Sequence, residues 1–323
     1  MLALSISREI FAQLTANGIF RGASYGLIGA GFALILGVTG RFHFAYGFTY
    51  TLAAYLAYTL HFRGTPFGPF SNGFPFIISG IIAVLFVAMI GMGIEKFIYR
   101  PIVKRAGATA LLAVFVAALG IGISGQSLVA LLWGQQSQGF YDQGGIVKKD
   151  AWGIWKVTFE NLDVFQFLTS TSLIIAFALV LKHTSLGRQL KATRVNPDLA
   201  TIIGINADRI YLVCFGIGTL FVGVSAFWFG LQYTVSPDMG ARPVMTAFVV
   251  AFMAGTASSP IRVFLTGIGV ALIEQWSSMF IRTQWTQIAV FIILFIYLIA
   301  KSMNGTPLSR KIKHVVRLQG IRG

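Results

Sequence analysis

Charge is scarce in this chain. Only 10 of its 323 residues are Asp or Glu and 25 are Lys or Arg, so charged side chains make up 11%. A soluble domain carries roughly 25%. With 56% apolar residues, the chain cannot cover a globular surface with polar groups, which excludes an ordinary soluble enzyme. Disorder fails too, because the hydrophobicity is far too high. The one cysteine, Cys214, excludes an internal disulfide and sits in an apolar run, where it reads as a buried, inert thiol. The four histidines, His43, His61, His183 and His314, lie far apart and there is no H-E-x-x-H, so no metal site is expected. There is no G-x-x-x-x-G-K-[ST] either, so the chain is not expected to bind and split ATP itself, and neither enzymatic activity nor a cofactor of its own is predicted. What remains is an integral membrane protein.

A helix needs about 20 mostly apolar residues to cross the hydrocarbon layer. Stretches of that kind fall near 12–38, 44–60, 75–97, 111–133, 166–182, 210–232, 243–258, 262–281 and 286–301. The prediction is an all-α polytopic bundle of eight or nine spans forming a single domain over 1–323. The seventh and eighth are separated only by Ser258-Ser259-Pro260, so they read either as two short helices or as a broken, re-entrant pair.

Lys and Arg set the orientation. If the loops 98–110 and 183–209 and the basic tail 302–323 are cytoplasmic, 17 of the 25 basic residues lie on that side or at its flanks, among them Lys104, Arg105, Arg188, Lys191, Arg310 and Lys311. This bias puts the C-terminus in the cytoplasm and, with nine spans, the N-terminus outside. The net charge of +15 then reads as basic loops against an anionic membrane face rather than as nucleic-acid binding. No cleaved signal peptide is expected, because Arg8 and Glu9 interrupt the N-terminus and the apolar run beyond is long enough to span. The segment 134–163 is the longest outer loop, where Trp152 and Trp155 suit a membrane interface or a docking surface.

Inside the spans, Gly18, Gly22 and Gly26 recur every four residues and Ala30 continues their face. This small-xxx-small pattern lets helices approach closely, and packing within the bundle is the expected use. Gly122-Ile-Ser124-Gly125 resembles the nucleophile motif of intramembrane rhomboid proteases, but no later span holds a histidine base, so close packing explains it better. Glu274 is the clearest intramembrane charge. It should face protein or water, as a group lining a path or as a carboxylate satisfied by a neighbour.

The segment from Lys182 to Arg209 is the most informative. Asn196 can cap a helix, Pro197 suits its first position, Asp198 faces the positive dipole end and Gly204 ends it. Leu199, Ile202 and Ile203 give the short helix one apolar face. Such a helix is marginal alone in water and needs something to pack on: a partner, the membrane surface or its own bundle. Asn206 is then placed to cap the next span, with Asp208 in its first turn.

This loop, Gly187-Arg188-x-Leu190-Lys191-Ala192-Thr193…Asn196-Pro197-Asp198-x-Ala200…Gly204-Ile205, resembles the cytoplasmic loop of the inner-membrane permeases of branched-chain amino acid ABC importers. Further segments agree in order. Tyr25 to Val38 with Phe42 to Gly47 is similar to the family's first span and its I-N-F-A-H-G segment. Ile94-Glu95-Lys96…Tyr99-Arg100-Pro101 is similar to its I-E-R-x-x-Y-R-P. Ser236-Pro237-x-Met239-Gly240 and Leu272-Ile273-Glu274 are similar to its S-P-x-M-G and L-L-E. The likeness runs from about 20 to 305. Departures are His43 for the family's Asn, Tyr46 for its His, and Ala254 to Ile261 for its glycine-rich segment.

The resemblance implies a permease in the bacterial inner membrane, paired with a second, identical or homologous, permease. Two cytoplasmic ATPases that bind the ATP and a periplasmic solute-binding protein complete the assembly. The helix at Pro197 would sit in an ATPase groove, and Gly187, Arg188, Lys191, Ala192, Asn196, Pro197, Asp198, Ala200 and Gly204 carry the coupling. His43, Tyr46 and Glu274 are the candidates for the path. The solute implied is a branched-chain amino acid or a similar small amide, urea or carboxylate. The rival readings are a self-sufficient secondary transporter or channel and a membrane enzyme.

Overall fold

The computed structural model describes residues 8–62, 74–140, 151–154, 157–256, 258–282 and 285–305. Helices dominate: α1 (Arg8–Thr39), α2 (Tyr46–His61), α3 (Phe76–Ile94), α4 (Arg100–Ala106), α5 (Ala110–Trp133), α6 (Asn161–His183), α7 (Ser185–Val195), α8 (Pro197–Ile202), α9 (Ala207–Gln232), α10 (Ala241–Ala254), α11 (Pro260–Ser277) and α12 (Thr286–Gly305). Each expected span contains a helix. Five segments among the described residues are long and apolar enough to cross a membrane: α1, the rod from Phe76 to Ala106, α5, α6 and α9. That rod joins α3 to α4 through a π-turn at Glu95–Tyr99 and so outruns the span expected at 75–97. Four short strands were not foreseen. β1 (Gln138–Gly139) pairs with β4 (Thr234–Val235), and β2 (Ala151–Ile154) with β3 (Val157–Glu160), both antiparallel. They fold part of the long loop 134–163; there Trp152 pairs with Phe159 through the backbone, and Trp155 lies outside the described residues. The tail from residue 306 lies outside them as well.

The glycine face of α1 packs on α11. A β-carbon at Gly26 would lie 2.7 Å from the Phe264 carbonyl oxygen, one at Gly18 would lie 2.8 Å from Leu272 Cδ2, and one at Gly22 would fall on the Ile268 backbone. Opposite them Gly267 meets the Gly26 backbone. The small residues therefore serve the bundle's own packing, as expected. The G-x-S-G segment behaves the same way: Gly122 faces the Phe44 carbonyl, Gly125 faces Phe48, and Ser124 is exposed.

Residues 243–281 form two helices, α10 and α11, which both readings allow. With 14 residues, α10 is about 21 Å long, short of a bilayer's ~30 Å. The turn to α11 uses Gly255 at φ +85°, and Ser259 caps α11 by accepting from the Arg262 N–H. Before α10 the chain runs irregularly alongside α2. The Tyr55 hydroxyl reaches the Val235 carbonyl at 3.5 Å, whereas Gly240 packs on the Gly47 backbone. Tyr55 and Gly47 are eight residues apart, so the loop descends about 12 Å along the helix. Non-helical backbone at such depth is tolerated where protein or a cavity surrounds it.

Candidate functional site

A cavity of about 590 Å³ opens beside this descending loop. It lies at the end of the bundle opposite α8, because it is bounded by the C-terminal half of α9 and α8 precedes the start of that helix. Arg21, Ser24, Tyr25 and Ile28 of α1 form one wall. Ser225 and Phe229 of α9, Glu274 of α11 and Arg242 and Thr246 of α10 form others. Its floor is a closed polar chain, in which Gln166 donates to Ser24 at 2.7 Å and the Ser24 and Ser225 hydroxyls meet at 2.7 Å. Arg21 donates to the Tyr233 hydroxyl at 2.9 Å. Tyr25 interacts electrostatically with both Glu274 and Arg21. Glu274, half-buried, is thus the one expected path residue that lines the cavity.

His43 and Tyr46 are not among the residues lining the cavity; they sit in a buried aromatic cluster. His43 Nδ1 lies 2.9 Å from the Tyr99 hydroxyl, and its ring packs edge-on against Tyr46 at 4.8 Å and Phe215 at 4.9 Å. All four side chains are buried, and no hydrogen-bond partner for the Tyr46 hydroxyl lies among the described residues. Beneath them are charges whose pairing sequence reasoning did not foresee. Arg41 forms an ion pair with Glu95, almost fully buried, and its guanidinium lies 5.0 Å from the centre of the Tyr211 ring. Arg100 reaches Asp208 through its carboxylate at 3.4 Å and its carbonyl at 2.9 Å. This pair ties the α3–α4 rod to the first turn of α9, directly after the loop that carries α8. The signals in the sequence were that Glu95 and Arg100 belong to one motif and that Asp208 falls in the first turn of the next span.

The coupling loop has the expected local chemistry. The Asn196 side chain accepts from the Asp198 and Leu199 N–H groups at 3.0 and 3.1 Å, Gly204 follows α8 with φ +86°, and Asn206 caps α9 by accepting from the Arg209 N–H at 3.0 Å. The helix ends at Ile202, one residue before the expected Ile203. Ala200 alone of α8 turns inward. Leu199, Ile202 and Ile203 are 60, 78 and 72% exposed, so the apolar face does not rest on its own bundle.

Helix α7 was not expected. Thr184 caps it, Gly187 packs on the Leu181 backbone, and Leu190 and Thr193 are buried. The cap followed by Leu186 and Leu190 at helical spacing was a usable signal. Of the coupling candidates on this helix, Gly187 is buried, Arg188 and Lys191 are exposed and Ala192 is half-buried. Arg194 points to the joint between α10 and α11, beside Thr256 and Ser258. Burial there lowers its pKa from arginine's usual value.

The family described as branched-chain amino acid transport system, permease component, matches residues 14–299. The high-affinity branched-chain amino acid transport system permease protein LivH of Escherichia coli (strain K12) is 24% identical over 295 residues, covering 90% of this chain and 93% of that protein. LivH of Salmonella typhimurium is 24% identical over 294 residues, with the same coverage. BraD of Pseudomonas aeruginosa is 24% identical over 307 residues, covering 94% and 98%. No solved structure matches the chain.

Proposed function

The chain belongs to the family of branched-chain amino acid transport permease components, and from that premise we propose that it is the membrane-spanning subunit of an ABC importer. It moves a branched-chain amino acid or a similar small solute inward, and separate ATPases drive it. The observation that carries this reading is the unpartnered helix α8. A capped six-residue helix with Leu199 and Ile202 exposed, and Ile203 exposed directly after it, is unstable in water by itself and is suited to a groove on a soluble motor.

The nine spans run with α7, α8 and the C-terminus in the cytoplasm and the cavity facing outward. The aromatic plug of His43, Tyr46, Tyr99 and Phe215 closes the path on the cytoplasmic side. A periplasmic binding protein delivers solute at the loop 134–163, and a second permease, identical or homologous, completes the membrane part. ATP-driven closure of the ATPases moves α8, and the Arg100–Asp208 contact carries that movement to the plug. The motor can bias the bundle only by favouring one of its states.

Changing Pro197 and Asp198 together to Ala tests the reading. ATPase co-purification and ATP-dependent uptake should both fall at least tenfold while the bundle's melting temperature holds. Unchanged co-purification and uptake would remove α8 from the coupling role. Uptake by the purified chain alone, without ATPases, would favour a self-sufficient carrier.

A further inference from the structure

We infer that the cavity is itself a transit site for a zwitterion, with Arg21 holding the carboxylate and Glu274 the ammonium group of an α-amino acid. The inference rests on the permease reading and deepens it, because it gives the membrane subunit a recognition step of its own.

Four charged side chains line the cavity: Asp238 and Arg242 are exposed, whereas Arg21 and Glu274, of opposite sign, are half-buried. Their spacing is set by the backbone. Gly18 meets Leu272 and Gly22 meets Ile268, so Arg21 and Glu274 stand within two turns of each other on helices that touch along a glycine face. Arg21 and Glu274 interact electrostatically, yet they do not form an ion pair. The ion pairs among the described residues are Arg41–Glu95 and Arg100–Asp208. Arg21 gives one donor to Tyr233, which leaves the rest of its guanidinium fork for a carboxylate, the group it matches best. Arg21 meets Tyr233 and Glu274 meets Tyr25, but neither has an oppositely charged side chain in direct contact, and a ligand carrying both complementary charges supplies one to each.

The remainder of the cavity fits such a ligand. The floor hydroxyls are engaged with one another through Gln166, Ser24 and Ser225. Ile28, Phe229 and Met239 offer apolar surface for a side chain. About 590 Å³ is ample for one small amino acid with water. A solute lacking either charge would leave one of the two residues without its charged counterpart, and a polar site discriminates strongly against such an analogue.

The test uses the chain in lipid nanodiscs, with L-leucine and two analogues that each keep one charge: leucinamide, with the ammonium only, and 4-methylpentanoate, with the carboxylate only. Thermal-shift titration should give leucine at least tenfold higher apparent affinity than either analogue. Arg21→Gln should abolish the response to 4-methylpentanoate and leave that to leucinamide, and Glu274→Gln should do the reverse. Arg21→Lys and Glu274→Asp keep the charges and should retain a weakened leucine response even if the neutral variants fail to fold. Equal affinity for all three probes, or leucine binding unmoved by all four substitutions, would overturn the transit site. Uptake by the complete importer separates the two layers. Wild-type ATP-dependent leucine uptake that persists unchanged in Arg21→Gln and Glu274→Gln overturns the site and leaves the permease reading standing. Wild-type complex with no ATP-dependent uptake overturns both.

Discussion

Arg41 and Glu95 are 54 residues apart in sequence, and each has its formal charge almost wholly removed from water. Removing one partner of a buried pair leaves the other uncompensated, at a cost of about 3–5 kcal/mol. Arg41→Ala should therefore lower stability by about that amount in detergent unfolding. The double substitution Arg41→Met with Glu95→Leu should recover most of the loss, because well-packed apolar groups often replace such a pair without penalty. A double variant no more stable than the single one would mean that the charges are held by more than each other. Cys214, buried and free, should stay unreactive to maleimide until the bundle unfolds. At this scale the sequence was a partial guide. It marked Glu274 as a charge needing protein or water around it, and the structure places it in a cavity wall. It read Glu95 only as a motif member, since nothing local indicates that Arg41 will meet it.

Among the elements, α8 was the most legible. Its cap, first turn and glycine exit are each decided by residues within a few positions, and short-range chemistry of that kind survives folding. Asn196→Ala should cost this helix about 0.5–2 kcal/mol and weaken ATPase capture. Leu199→Ser with Ile202→Ser should abolish capture while leaving the melting temperature unchanged, because both side chains are exposed. Co-purification and a thermal melt of the same samples decide it. The descent of residues 233–240 along α2 was not legible. Apolar periodicity identifies segments that can be helical; it is silent on where an irregular segment travels, which is set by Gly240 meeting Gly47 from another element. The α1–α11 contact was half legible. The four-residue spacing announced a close approach, and only the structure identifies the partner. Gly26→Val should cost at least about 1–3 kcal/mol by overpacking, read as a lowered detergent melting temperature, since the atoms in its way are backbone.

For the molecule as a whole, the two ends differ in what they present: a charged cavity mouth at one and an oily six-residue helix at the other. In a Cys214→Ala background, Asp238→Cys should react with a membrane-impermeant thiol reagent added to intact spheroplasts, and Ile203→Cys should react only once the membrane is opened. The reverse pattern would invert the orientation drawn from the basic residues. Both positions are exposed, so access rather than burial governs the outcome. The order of helices along the chain was readable because each long apolar run had no soluble alternative. The cavity was not, because it is assembled from six segments distant in sequence.

The glycine contact between α1 and α11 bears on how such a body can bend. Where two helices meet through side chains, rotamers give way and the joint has slack. Here backbone lies against backbone at Gly22, Gly26 and Gly267, with no soft layer between. The pair is a stiff beam, and a load applied near one end arrives at the other with little lost. Hydrogen-bonded helix is interrupted elsewhere, at 40–45 just before α2, at 233–240 alongside it, and at the Gly255 turn between α10 and α11. A bundle that rocks is expected to bend at such interruptions and to keep the α1–α11 beam whole.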